Sequence, residues 1–106
     1  MEFIELSLFA ALLSTIFTDA EYQELQNALV GNPESGDLIP GGRGLRKIRW
    51  YSRAKRQGKR GGVRVIYYYA HDDRIFMFFL YNKSRQDDLK KHQLKALMSL
   101  MEDIDL

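Results

Sequence analysis

Apolar and polar positions along the chain change period several times, and each change marks an element. Residues 2–6 (Glu-Phe-Ile-Glu-Leu) suit a first strand, and the apolar run that follows predicts a short helix through about Leu13. Thr18-Asp19-Ala20-Glu21 sets a hydroxyl three residues before a glutamate, the signature of a capping box. Tyr22, Leu25, Ala28 and Leu29 then recur at helical spacing until Gly31-Asn32-Pro33 ends the pattern. Pro33 to Gly44 holds both prolines and four of the eight glycines, which reads as loop.

Beyond Gly44 the period shortens. Leu45 to Tyr51, Val63 to His71 and Arg74 to Asn82 are β-branched or aromatic and predict three strands. Ser52 to Gly62 is a polar, glycine-punctuated loop, and Asp72-Asp73 makes a short hairpin connection. Ser84 to Asp87 resembles a second helix-start signal. After it Leu94, Leu97, Met98, Met101 and Ile104 trace one apolar stripe, a closing amphipathic helix. Helices, an antiparallel meander and a final helix make an α+β fold: a small antiparallel sheet with N-terminal helices and a C-terminal helix. With 106 residues and no linker or repeat, residues 1–106 are expected to form a single domain.

Net charge conceals an uneven distribution. The total is +2, yet residues 1–42 carry seven acidic groups and no Lys or Arg. Residues 43–71 carry ten basic groups and no acidic one: Arg43, Arg46, Lys47, Arg49, Arg53, Lys55, Arg56, Lys59, Arg60 and Arg64. Like charges packed this densely oppose folding, and a polyanionic partner is the usual reason for them.

Composition narrows the chemistry further. No cysteine is present, which excludes a disulfide scaffold, a thiolate zinc site and a cysteine nucleophile. Only two histidines occur, His71 and His92, and neither belongs to the basic strands. No metal ligand cluster or cofactor motif stands out. The apolar run from Leu6 to Phe17 is shorter than the ~20 residues of a membrane span. Glu2 and Glu5 precede it where a secretory signal would be basic, so no targeting segment and no membrane partner are expected, and the location expected is cytoplasmic.

Side chains alternate across a sheet. Lys47, Arg49 and Tyr51 therefore share one face, Arg64, Ile66 and Tyr68 share another, and Tyr81 goes with Lys83. If the three strands are neighbours, Lys47, Arg49, Arg64 and Lys83 converge on one cationic, aromatic-edged surface, with Val63, Val65 and Tyr67 turned toward the helices. Such a surface suits RNA: the cations neutralise phosphates, and Trp50, Tyr51, Tyr68 or Tyr81 would stack on unpaired bases. No helix carries clustered basic residues, which argues against a major-groove reader.

Three segments carry a family resemblance: G-L-R-K-I-R-W (Gly44–Trp50), G-K-R-G-G-V-R-V-I-Y-Y (Gly58–Tyr68) and L-Y-N-K-S-R-Q-D-D-L (Leu80–Leu89). In this order and spacing the chain resembles the RelE/HigB superfamily of toxins from bacterial type II toxin–antitoxin modules, with the HigB-type branch most similar. The resemblance implies a RelE-like fold and a ribosome-dependent endoribonuclease that cuts mRNA. It also implies a cognate antitoxin, a HigA-like helix-turn-helix protein, as partner beside ribosome and mRNA. Carried over by position, it places active-site groups at Lys47, Arg49, Arg64 and Lys83, with Tyr81 as the aromatic member. Lys55, Arg56, Lys59, Arg60 and Arg46 would meet RNA. Two departures stand out: Ser84 where RelE has an arginine, and Leu89-Lys90 where it has a tyrosine.

RNA brings its own nucleophile, the 2′-hydroxyl, so no metal or cofactor is required. The enzyme aligns the attack, moves two protons and stabilises a dianionic phosphorane. Arg64 is the expected phosphate clamp, assisted by Arg49, and Lys47 or Lys83 the expected proton-transfer group. The same cations would equally serve an RNA- or ribosome-binding module without cleavage, or a module that binds only its antitoxin.

Overall fold

The computed structural model describes residues 1–51 and 62–104. Thr18 begins the clearest local element: its hydroxyl accepts from the Glu21 N–H (3.2 Å), and the Glu21 carboxylate accepts from the Thr18 N–H (2.9 Å). This reciprocal cap starts helix α2 (Asp19–Gly31). Before it lie strand β1 (Glu2–Glu5) and helix α1 (Ser7–Ile16), the latter a turn longer than the sequence predicts. The 33–44 region, read as loop, contains a two-residue strand, β2 (Asp37–Leu38). β3 (Leu45–Trp50), β4 (Val63–Ala70), β5 (Arg74–Asn82) and helix α3 (Lys91–Asp103) follow. α3 starts later than the Ser84–Asp87 signal suggests. Gln93 accepts from the Lys90 N–H (2.9 Å) at the helix start.

The sheet has the order β1-β5-β4-β3-β2. It is mixed rather than wholly antiparallel, because β1 runs parallel to β5. No tight turn joins these two strands, so nothing forces an antiparallel return, and β1 covers the edge that β5 would otherwise leave open.

Helices cover both faces. Phe9, Phe17, Tyr22, Leu25 and Leu29 of the N-terminal part pack on Val63, Val65, Tyr67, Ile75 and Met77. Leu97 and Met101 of α3 pack on Leu45, Ile66, Phe76 and Phe78 of the opposite face. The expected turn of Val63, Val65 and Tyr67 toward the N-terminal helices is therefore observed. The cationic face is not free along its length, however: α3 occupies the apolar part of it and leaves the cations at one end.

A β-bulge sets which residues reach that end. Ile66 pairs with Phe79, but Tyr67 pairs with Met77, so Phe78 is an extra residue in β5. Phe76, Phe78 and Phe79, and then Tyr81, consequently all pack on the α3 side, while Met77 and Leu80 pack on the other.

Candidate functional site

Register brings most of the expected residues together. On the α3 side Arg49 of β3 lies opposite Arg64 of β4, and Arg64 lies opposite Tyr81 of β5. Directly opposed residues stand about 5 Å apart, so the three form a short row across three strands. Lys47 follows Arg49 two residues back on the same face, as alternation requires.

The row is electrostatically unusual. Arg64 is only 7% exposed and Tyr81 only 4%. Among the described residues, neither the buried Arg64 Nη1 nor the buried Tyr81 hydroxyl has a hydrogen-bond partner. A buried unpaired donor costs about 1–3 kcal/mol, so native proteins seldom keep two side by side without a use for them. Burial raises the Tyr81 hydroxyl above its ordinary value of 10.0; the Asp88 carboxylate adds to this, while the Arg64 guanidinium and the Leu89 N–H oppose it. Tyr81 therefore stays protonated at neutral pH, a donor rather than a base.

Beside the row a cleft of about 530 Å³ opens, with Lys47 and Arg49 on one side and Asp88, Leu89 and Leu94 on another. The exposed side chain of Arg49 makes no hydrogen bond or ion pair among the described residues. Lys47 donates to Asp88 Oδ1 at 3.1 Å. Asp88 is held below the ordinary carboxylate range first by the Leu89 N–H and then by Lys47. Lys83 donates to the backbone carbonyl of Asp87 and stands 3.8 Å from that residue's carboxylate. Both lysines are thus hydrogen-bond donors to adjacent positions of one turn.

Other residues fall elsewhere. Arg46 lies on the α1/α2 side, and its Nη1 donates to the carbonyls of Glu34 (3.1 Å) and Gly36 (2.8 Å). Its guanidinium fastens the 33–36 turn to β3 and is not turned toward the cleft. Lys55, Arg56, Lys59 and Arg60 lie outside the described residues. Trp50 packs against the α1/α2 core, and Tyr68 packs in the α3 core. Tyr51 is 39% exposed. His71 and His92 are exposed and line neither the row nor the cleft. Ser84 is exposed in the turn after β5, and Leu89 forms part of the cleft wall. In sequence Asp88 reads as part of a helix start, and its bond to Lys47 is not visible there. The spacing held one hint, an aspartate pair starting four residues after Lys83.

Among the described residues no group of three or more His, Asp or Glu is placed to hold a metal ion, and no helix is long and apolar enough to cross a membrane.

The family model for the RelE toxin of the RelE/RelB toxin–antitoxin system matches residues 34–105. That span covers β2 through α3 and every residue of the row and cleft.

The chain belongs to the RelE toxin family.

It is accordingly a toxin-type chain, and RelE membership implies an antitoxin as its partner. RelE toxins are generally endoribonucleases that stop translation, which is the chemistry a cationic row beside an open cleft suits. The α+β architecture described above is consistent with RelE-like toxins.

Proposed function

We propose that this RelE-family chain is a ribosome-dependent mRNA endoribonuclease of the HigB-type branch, working without a metal and neutralised by a HigA-like helix-turn-helix antitoxin. The observation that carries this reading is the buried donor pair of Arg64 and Tyr81, unpartnered among the described residues. Two preorganised donors in a water-poor place are worth most where negative charge develops, and here the charge is that of the phosphorane.

Arg64 grips a non-bridging oxygen through its guanidinium, and Tyr81 donates to a second. Because both are buried, substrate binding must uncover them. Arg49, whose exposed side chain is unpaired among the described residues, holds a neighbouring phosphate. The 2′-oxygen attacks phosphorus and loses its proton to water in the open cleft. The bond from phosphorus to the 5′-oxygen breaks, and Lys47, an ammonium donor in the structure, supplies the proton that oxygen requires. The products are a 2′,3′-cyclic phosphate and a 5′-hydroxyl end. Arginine and lysine provide the positive charge that a metal would otherwise supply. Lys55, Arg56, Lys59 and Arg60 fit contacts to ribosomal RNA and message, and a cytoplasmic location follows from a ribosomal target.

The test is to add the protein to translating ribosomes and map new 5′ ends. Codon-associated cuts by the wild type, reduced by ~10²-fold or more in Arg64→Ala, support the reading. Protection of RNA without cuts would make the surface a docking site only. Full cutting by an Arg64→Ala protein that still binds ribosomes would remove the clamp.

A further inference from the structure

We propose that Asp88 is a positioning residue for the cleavage: its carboxylate fixes the Lys47 ammonium at the wall of the cleft, an inference that rests on the endoribonuclease reading above. A carboxylate in a cleft built for a polyanion repels the substrate, so its place there calls for a compensating role. One oxygen of Asp88, Oδ1, takes two donors, the Leu89 N–H at 2.7 Å and Lys47 Nζ at 3.1 Å. The first bond ties the carboxylate to the backbone of its own turn. The second uses that fixed point to hold a long side chain from β3, a strand some forty residues away in sequence.

Lysine carries its charge on a flexible four-carbon stem, and freezing that stem costs entropy each time substrate binds. A partner already in place meets that cost before the substrate arrives. Asp88 stays ionised, because the Leu89 N–H and Lys47 both favour its charged form. It therefore remains an anchor across the neutral range.

Asp87 offers an internal contrast. Its carboxylate is fully exposed and 3.8 Å from Lys83. Lys83 hydrogen-bonds to the Asp87 backbone carbonyl instead, a contact that needs no carboxylate. The two adjacent aspartates thus hold two lysines by different means, and only Asp88 does so through its charge at hydrogen-bond distance.

Asp88→Asn separates orientation from structure, since the amide oxygen still accepts from Leu89 while the charge is gone. On translating ribosomes its single-turnover rate at saturation should fall roughly 10- to 100-fold, with half-saturation unchanged or lower. Asp88→Glu should recover part of that loss. Lys47→Ala should fall as far, and the double variant no further than either single one. Asp87→Asn, with the same change in net charge, should stay within about two-fold. A readout independent of cutting is the ¹H–¹⁵N signal of the Lys47 ammonium, slow to exchange in the wild type and lost in Asp88→Asn. Full-rate cutting by Asp88→Asn, additive losses in the double variant, or an unchanged ammonium signal would each overturn the proposal. A wild type that cuts nothing removes the nuclease reading and the catalytic role with it, while the ammonium signal reports the ion pair separately.

Discussion

Arg64 and Tyr81 face each other across β4 and β5, and each buries a donor that meets no acceptor among the described residues. Evolution for stability alone would have replaced at least one of them, because an apolar ring or chain fills such a site at lower cost. Tyr81→Phe should therefore separate two properties. Cleavage should drop by about 10²-fold, while stability stays level or rises by up to about 1 kcal/mol. Parallel denaturant titration and 5′-end mapping check both; a variant that loses stability and keeps its cutting rate contradicts the assignment.

Tyr67 is the opposite case, a buried hydroxyl fully used. It donates to the Pro33 carbonyl (2.8 Å) and accepts from the Gly36 N–H (2.9 Å), so it fastens the 33–36 turn to β4 from beneath. Tyr67→Phe strands that N–H and should cost about 1–3 kcal/mol, read as a lower denaturant midpoint with the slope unchanged.

Gly44 enters β3 with φ of +104°, and a Cβ there would come within 2.8 Å of the Tyr68 ring. Gly44→Ala meets backbone strain and a collision together. A loss of about 1–3 kcal/mol is expected, against near-neutral behaviour for Gly31→Ala, where nothing lies within 4 Å. Thermal denaturation of the two variants side by side decides it.

Alkaline stability has a defined origin. Burial raises the Tyr22 hydroxyl, with the Glu5 carboxylate adding to it, and burial also raises Tyr67. A group with a raised folded value binds its proton more tightly in the native state. Its contribution is present below the unfolded value of about 10 and is lost as pH climbs through the folded one. Denaturant midpoints should hold steady to about pH 9 and then fall toward pH 11. Tyr22→Phe should make that decline shallower, and an equal decline would exclude Tyr22 as a source.

Much of this was readable from residue order alone. The Thr18 cap, the strand limits and the α3 stripe follow from local chemistry, and local chemistry is what a sequence displays. Alternation also placed Lys47, Arg49 and Arg64 on one face. What stayed hidden were relations between distant segments. The parallel docking of β1 on β5 leaves no turn signal, and Asp37-Leu38 is too short to show a period. Arg46 reads like its basic neighbours until parity and the Glu34 and Gly36 carbonyls claim it. The Asp88 bond to Lys47 spans 41 positions and depends on a tertiary fold to exist.

Phe78 gives the molecule a hinge in its arithmetic. Ahead of it β5 counts even residues toward α3; behind it the same side is reached by odd ones. Removing that single phenylalanine would erase the bulge and keep Tyr81 opposite Arg64, whereas a residue gained or lost between Phe79 and Tyr81 would turn Tyr81 under the N-terminal helices. The strand thus tolerates changes of side chain far better than changes of length, and its chemistry hangs on a phase as much as on a residue.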